Sequence, residues 1–125
     1  MLKVCRRLAI VCAVLIFLGI SAQAKRLAPK PVSPVSSGGI RYSAEGDGRD
    51  EYIVAADAAS GSLLWKVKVF HTQIKPWMEE DVQTVFITAL KLVGNSLFVR
   101  DESARCYSVD LITKHVRKQQ CGSEF

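Results

Sequence analysis

The sequence contains few of the residues that usually form metal sites and enzyme active sites. Its 125 residues include four cysteines and two histidines, without the paired spacing of zinc ligands. The histidines, His71 and His115, stand at predicted strand ends among polar neighbours, which favours solvated surface histidines over a Ser–His–Asp triad. No glycine-rich phosphate-binding loop precedes a helical pattern. We therefore predict a protein that is not an enzyme and that binds no metal and no cofactor.

Charge of one sign is not concentrated in the chain. Lys and Arg number 17 and Asp and Glu 12, which gives a formal net charge of +5. Three of the positive charges (Lys3, Arg6 and Arg7) fall at the start of the chain, and the remainder is nearly balanced. Without a basic patch, the composition argues against a nucleic-acid partner. The hydrophobic share of 49% allows one small folded domain.

No apolar run reaches the length of about 20 residues that a membrane-spanning helix needs. The run from Leu8 to Ile20 follows the basic start and precedes Ala22 and Ala24, small residues at the two positions that a signal peptidase reads. These features predict a signal peptide over residues 1–24, cleaved after Ala24, and an exported protein that is periplasmic or secreted. The alternative is an uncleaved N-terminal anchor, which would attach the protein to a membrane through this segment alone.

Export also separates the cysteines into two pairs. Cys5 and Cys12 belong to the signal peptide, whereas Cys106 and Cys121 remain in a chain that meets an oxidising compartment. A bond between the latter two would close a loop for which chain entropy gives about 3 kcal/mol. We predict this disulfide. The alternative is two free thiols, one in a strand and one on the C-terminal tail.

The mature chain divides by composition into a spacer, a folded domain and a tail. Residues 25–38 hold three of the four prolines and are predicted to be a disordered spacer. Residues 39–118 are predicted to form the folded domain. Residues 119–125 make a polar C-terminal tail.

Within the domain, apolar residues alternate with a period of two, which is typical of β-strands. Leu63 to Phe70 shows this alternation, and residues 83–93, apolar on both faces, are predicted to be a central strand. Turn residues such as Gly94-Asn95 separate the short strands. Only Pro76–Val82 is predicted to be helical, because a proline opens it and acidic residues follow. The fold class is therefore all-β, a small antiparallel meander of about six to seven strands.

One corner of this meander carries a motif, Ala56-Asp57-Ala-Ala-Ser60-Gly61-Ser-Leu-Leu64-Trp65. Asp57 can accept hydrogen bonds from turn amides, and Gly61 can take a positive φ. A shift of 53 positions lays the motif on Val109-Asp110-Leu-Ile-Thr113, a faint internal repeat. The motif resembles the repeat of PQQ-like (quinoprotein-type) β-propellers, whose blades carry A-x-D-x-x-T-G-x-x-x-W at a strand–turn–strand corner. It is also similar to the single repeat of short exported bacterial proteins of unknown function.

The resemblance covers roughly residues 40–118 and implies one to two propeller-like blades. A closed ring of four blades needs about 160 residues, more than this chain has, so a closed propeller is not expected. The family's quinone and calcium ligands have no counterpart here, so we expect neither pyrroloquinoline quinone nor calcium to bind. The resemblance implies structural roles for Asp57 as a turn cap, Gly61 as a turn residue and Trp65 in the core.

Pro76-Trp77-Met78 places large apolar side chains in a connecting segment. Two interpretations stay open. Trp77 covers an open end of the sheet as a lid, or Trp77 and Met78 form a recognition loop with Glu79–Asp81 as its rim. The lid predicts a buried Trp77 in the monomer, whereas the recognition loop predicts an exposed one.

Two hypotheses about function follow from these observations. The first is an exported, non-enzymatic binding module for an unidentified protein or envelope partner, or for a second copy of itself, through an exposed sheet edge or apolar face. The alternative is a subunit of an oligomeric propeller-like assembly with enzymatic or cofactor-binding activity. The first tolerates a monomer, whereas the second requires a closed oligomer.

Overall fold

The computed structural model describes Leu27 and residues 29–125, and this part of the chain forms eight β-strands in two antiparallel sheets. Strands β1 to β4 follow one another in the first sheet, and β5 to β8 in the second sheet. The predicted all-β class is confirmed. The predicted signal peptide, residues 1–24, and its cleavage site lie outside the described residues. The strands are β1 (Val35–Ser37), β2 (Ile40–Gly46), β3 (Asp50–Asp57), β4 (Leu63–His71), β5 (Ile87–Val93), β6 (Ser96–Asp101), β7 (Cys106–Asp110) and β8 (Val116–Gln119).

The described residues contain no α-helix, and hence none long and apolar enough to cross a membrane. The prediction of a helix over Pro76–Val82 is wrong, because residues 76–77 and 81–83 form turns. The side chain of Gln83 bonds to backbone groups of this segment that a helix would use internally.

Two strands differ from the sequence prediction. β1 extends the first sheet into the segment predicted to be a spacer, since Gly38 and Gly39, with φ of 59° and 76°, form a tight hairpin turn. The prediction of a central strand over residues 83–93 is wrong, because β5 begins at Ile87 and is an edge of the second sheet. Its apolar character comes from contact with β1 and β2 of the first sheet rather than from strands on both sides.

The two sheets share one turn geometry at a shift of 53 positions, as the internal repeat predicts. The Oδ1 atom of Asp57 accepts the N–H groups two and three residues ahead at 2.9 and 2.8 Å. The Oδ1 atom of Asp110 does the same at 2.8 and 2.9 Å. These hydrogen bonds lower the pKa of both carboxyl groups. Gly61 follows in the first turn with φ of 76°, and Lys114 takes the equivalent place in the second with φ of 61°.

The hydrophobic core lies between the two sheets, so neither sheet has a core of its own. Trp65 is half-buried at its border, with its ring centroid 6.0 Å from that of Tyr42. Phe70 of the first sheet stacks on Tyr107 of the second at 5.1 Å. The buried members of this cluster are Tyr42, Ile53, Ala55 and Val69 from the first sheet and Ile87, Leu97, Val99, Tyr107 and Val109 from the second.

A disulfide joins Cys106 in β7 to Cys121 in the C-terminal tail, with the Cα atoms 5.1 Å apart. The prediction of this bond is confirmed. Cys106 is buried and Cys121 lies at the surface, so the bond holds the tail against the second sheet beyond the last residue of β8.

Candidate interaction surface

Three loops meet at one end of the sheet pair, called here the loop end. They are the β2–β3 hairpin loop (residues 47–49), the connection between the sheets (residues 72–86) and the β6–β7 loop (residues 102–105). Backbone hydrogen bonds of 2.7 to 2.9 Å run from the connection to the hairpin on one side and to the β6–β7 loop on the other. The connection is therefore packed into the loop end.

The connection carries large apolar side chains that face solvent. Trp77 is 77% exposed, Met78 47% and Val82 53%. The lid interpretation is wrong, because a lid would bury the indole of Trp77 in the isolated chain. The interpretation as a recognition loop stays a prediction.

One side chain, that of Gln83, fixes the turn that presents Trp77. Its Oε1 atom accepts the N–H of Lys75 at 2.7 Å. Its Nε2 atom donates to the carbonyl groups of Lys75, Met78 and Glu79 at 3.0 to 3.1 Å. We call residues 75–83 the Trp77 turn. Its backbone is held in one conformation without the help of Trp77 itself.

The β2–β3 hairpin approaches the connection too closely for a side chain at Gly48. Its φ is +85°, and a Cβ atom there would lie 2.6 Å from the Cβ atom of Thr84. The Arg49 guanidinium also forms an ion pair with Glu80 of the Trp77 turn. Since both partners of that pair are exposed, the close backbone packing contributes more to the attachment than the ion pair does.

Glu51 is a buried carboxylate beneath the loop end, 3% exposed. Its Oε1 atom accepts the N–H of Ile87 at 2.9 Å, and its Oε2 atom accepts that of Gly48 at 3.3 Å. Burial raises the pKa of Glu51, and the two hydrogen bonds oppose the rise. Glu51 borders a cleft of about 330 Å³ that Phe86 and residues 29–32 also line. Because both carboxylate oxygens are engaged, Glu51 ties the start of the second sheet to the first.

Asp101, which is 1% exposed, organises the β6–β7 loop in a similar way. Its Oδ1 atom accepts the N–H groups of Ser103 and Arg105 at 2.8 and 3.0 Å, and its Oδ2 atom accepts the Nε–H of Arg105 at 2.9 Å. The Tyr107 hydroxyl donates to Oδ2 at 3.4 Å, and burial raises the pKa of Tyr107. Sequence reasoning missed this role. The available signal is the spacing Asp101-x-Ser103-x-Arg105, in which alternate N–H groups face one carboxylate.

His71 and Asp50 resemble part of a catalytic arrangement. The Nδ1 atom of His71 lies 2.7 Å from Oδ1 of Asp50, which also pairs with Nζ of Lys68 at 3.1 Å. These hydrogen bonds lower the pKa of Asp50. Among the described residues no serine or cysteine side chain bonds to His71, and no three His, Cys, Asp or Glu side chains are grouped as a metal site. The cluster therefore pairs an imidazole with a carboxylate, and no nucleophilic side chain of the described residues joins them.

No protein-family model matches the chain, and the curated proteins yield no match either. Among solved structures, the chain is similar to BamB from Moraxella catarrhalis, with a TM-score of 0.53 and 17% sequence identity. The fold is propeller-like. The match covers 78% of this chain and 30% of that chain, so the protein spans less than a third of the structure it matches. At this identity the likeness concerns the fold alone.

Proposed function

We propose that this protein is an exported, non-enzymatic interaction module that binds a protein partner through the Trp77 turn. The observation that carries the proposal is the exposure of Trp77 and Met78 on a turn whose backbone Gln83 already fixes. Trp is enriched among the residues that contribute most to protein–protein binding, and Met adapts to irregular apolar surfaces.

The rigidity of the Trp77 turn favours binding. A loop that becomes ordered only in the complex loses conformational entropy, and that loss weakens the affinity. Here the carboxamide of Gln83 and the packing of Gly48 against Thr84 order the turn before a partner arrives. The indole of Trp77 is therefore presented at a low entropic cost.

The charges beside Trp77 indicate the chemistry of the partner surface. Three consecutive acidic residues, Glu79–Asp81, follow the apolar pair, and Lys75 precedes it, with its Nζ atom 6.0 Å from the indole ring. Complementary charge at an interface increases the association rate and excludes other partners. We infer a partner with an apolar pocket for one aromatic ring and basic residues at its border.

The sheet edges formed by β4 and β8 are less suited to binding. β4 carries Lys66 and Lys68, and β8 carries Arg117 and Lys118. Charged side chains on edge strands discourage pairing with another chain. β4 also departs twice from regular register with β3, which disrupts the straight ladder that an added strand would need.

The charged side chains on the outer faces of both sheets argue against the alternative, a ring built from several copies of the chain. The outer face of the first sheet includes Arg41 and Lys66, and that of the second includes Arg100 and Arg117. Packing these faces against another sheet would bury charges at a cost. The pattern supports a module that acts without ring closure.

Export is part of the proposal and rests on two supports. One is the predicted signal peptide over residues 1–24. The other is the disulfide between Cys106 and Cys121, a bond that persists in oxidising compartments such as the periplasm or the cell exterior.

The test is photocrosslinking in the cell that exports the protein, with p-benzoylphenylalanine in place of Trp77. Matched controls carry the same group in place of Leu64 or Ile112, which are 51% and 67% exposed and lie away from the Trp77 turn. We expect one discrete heterologous product from position 77 and none of comparable yield from the controls.

Competition identifies the surface responsible for that product. Excess unmodified protein should abolish it, whereas the Trp77→Ala protein should compete at least about tenfold less well, as expected for a dominant interface residue. Gln83→Ala should also compete poorly, because the turn loses its order. Equal products from all three positions, or undiminished competition by Trp77→Ala, would contradict the proposal.

A further inference from the structure

The outer face of the second sheet, turned away from the first sheet, presents a row of one aromatic and two polar side chains across three strands. The register pairs Ser108 in β7 with Phe98 in β6 on one side and with Arg117 in β8 on the other. Since Tyr107 and Val109 alternate with Ser108 and point into the core, this row faces away from the first sheet.

The equivalent row of the first sheet is Tyr42, Ala55 and Trp65. β4 has one additional residue at the register shift beside Ala55. With that residue included, Trp65 is the partner of Ala55 in the first sheet as Arg117 is the partner of Ser108 in the second. The first row packs in the core against the second sheet. No further sheet of the described chain covers the second row. The position that holds the aromatic ring of Trp65 in the first sheet therefore holds the guanidinium of Arg117 on an open face in the second.

The surface beside this row forms a cleft of about 290 Å³. Hydroxyl, imidazole, carboxylate and guanidinium groups dominate its wall. A cleft of this size is at the small end of ligand sites and suits a molecule of about one sugar ring. The cleft is lined by Ser96, Ser108, Asp110, Thr113, His115 and Arg117.

The cleft holds one arginine and one aspartate, whose charges are equal and opposite but which form no ion pair with each other. Arg117 forms no ion pair with a described residue, whereas Lys66 on the outer face of the first sheet lies 3.7 Å from Glu45. Asp110, the acid of the cleft, already accepts two backbone N–H groups at 2.8 and 2.9 Å. The guanidinium of Arg117 is therefore available to an external anion.

We propose that this cleft binds a sugar that carries a carboxylate or phosphate group. Arg117 binds the anion, because a guanidinium forms paired hydrogen bonds to either group. Ser96 and Ser108 bind ring hydroxyls, since a serine hydroxyl both donates and accepts. The negative charge of Asp110 favours a ligand with hydroxyl donors over a bare phosphate ion. An acidic peptide would bring carboxylates without the hydroxyls that match the serines.

The test is a titration of the exported protein, followed by the backbone amide chemical shifts of Ser96, Ser108 and Arg117. Galacturonic acid and glucose 6-phosphate are the probes, and galactose, inorganic phosphate and triglutamate are the comparisons. We expect saturable binding of both probes with dissociation constants of about 1 mM or lower. Galactose and inorganic phosphate should bind at least about tenfold more weakly, because each lacks one of the two recognised groups.

Two variants and one matched control identify the residues. Arg117→Gln should weaken binding of both probes about tenfold, and Ser108→Ala about threefold. Lys66→Gln, which removes a paired cation from the other outer face, should leave the affinity unchanged.

Three outcomes would overturn the proposal. Equal affinity for inorganic phosphate and glucose 6-phosphate would show that the hydroxyls contribute nothing. Tighter binding of triglutamate would assign the cleft to an acidic protein instead. Chemical shift changes that do not saturate up to the solubility limit of the probes would show that the cleft is an ordinary solvated surface without a binding site. None of these readouts involves Trp77, so they are independent of the crosslinking test.

Discussion

The two sheets have the same strand order and the same turn geometry, yet they place different residues at equivalent positions. The first sheet has Gly61 in the left-handed turn position, where the second has Lys114. The first has Trp65 on its covered face, where the second has Arg117 on an open one. The turn keeps its left-handed geometry in both sheets although only the first has glycine there, whereas the aromatic ring is present only on the face that another described sheet covers.

The largest expected difference between the sheets comes from the disulfide, which only the second sheet has in the described structure. Replacing both Cys106 and Cys121 by Ser should lower the free energy of unfolding by about 3 kcal/mol, as expected for a closed loop of this length. Urea denaturation measures the change. Hydrogen exchange should increase most in β8, and an increase confined to the first sheet would contradict this account.

An exchange of the equivalent residues tests the covered and open faces directly. Trp65→Arg should lower the free energy of unfolding by about 2 kcal/mol, since it removes an aromatic ring from the core border and places a positive charge near Lys114, whose Nζ atom lies 5.9 Å from the centroid of that ring. Arg117→Trp should change it by less than about 0.5 kcal/mol, because that face is solvated. Equal losses in thermal or urea denaturation would mean that both faces are covered.

Exchanging the residues at the left-handed turn position should have a smaller effect on the free energy of unfolding, with opposite signs in the two sheets. Gly61→Lys should destabilise by about 1 kcal/mol, because a side chain at φ of 76° is strained. Lys114→Gly should stabilise by a similar amount or less, since the unfolded chain also gains freedom with glycine. Denaturation curves that shift in the same direction for both variants would refute the equivalence of the turns.

Removing the turn carboxylates should produce matched effects. Asp57→Ala and Asp110→Ala each lose two hydrogen bonds to backbone N–H groups, and each should lower Tm by about 4 °C. The matched controls Asp57→Asn and Asp110→Asn keep an acceptor oxygen and should retain most of the stability. A loss in one sheet only would show that the two turns are not energetically equivalent.

The smallest expected effect is the pH dependence that Glu51 contributes. Burial raises the pKa of the Glu51 carboxyl group above its ordinary 4.5. The native state therefore binds the carboxyl proton of Glu51 more tightly than the unfolded chain does. The corresponding stability is present below pH 4.5 and is lost as the pH rises through the native value. Glu51→Gln should remove this contribution, so its unfolding free energy should fall less than that of the wild type over this window. Identical pH slopes would contradict the buried, titrating carboxylate.

The features that depend on neighbouring residues could be predicted from the sequence. The alternation of Leu63 to Phe70, the Gly94-Asn95 turn and the Asp57 turn depend on residues next to one another, so a single segment contains the information. The pairing of Cys106 with Cys121 could also be predicted, because removal of the predicted signal peptide would leave the chain one pair of cysteines.

The rest depends on contacts between distant segments. The burial of Glu51 is compensated by the N–H of Ile87, 36 positions away, which donates to its carboxylate. Pro76–Val82 has a helical pattern, but Gln83 competes for its backbone groups. The exposure of Trp77 could not be predicted because it depends on how the connection packs on the β2–β3 hairpin.

In the described part of the chain, the connection of residues 72–86 is the only covalent link between the sheets, and the core lies between them. Each half alone would expose the apolar face that the other half covers. In energetic terms the protein is a heterodimer of two short chains joined by a tether, which provides an effective concentration in the millimolar range. A protease cut within the exposed Trp77 turn would therefore turn a folding equilibrium into a binding equilibrium, and the two fragments would separate on dilution.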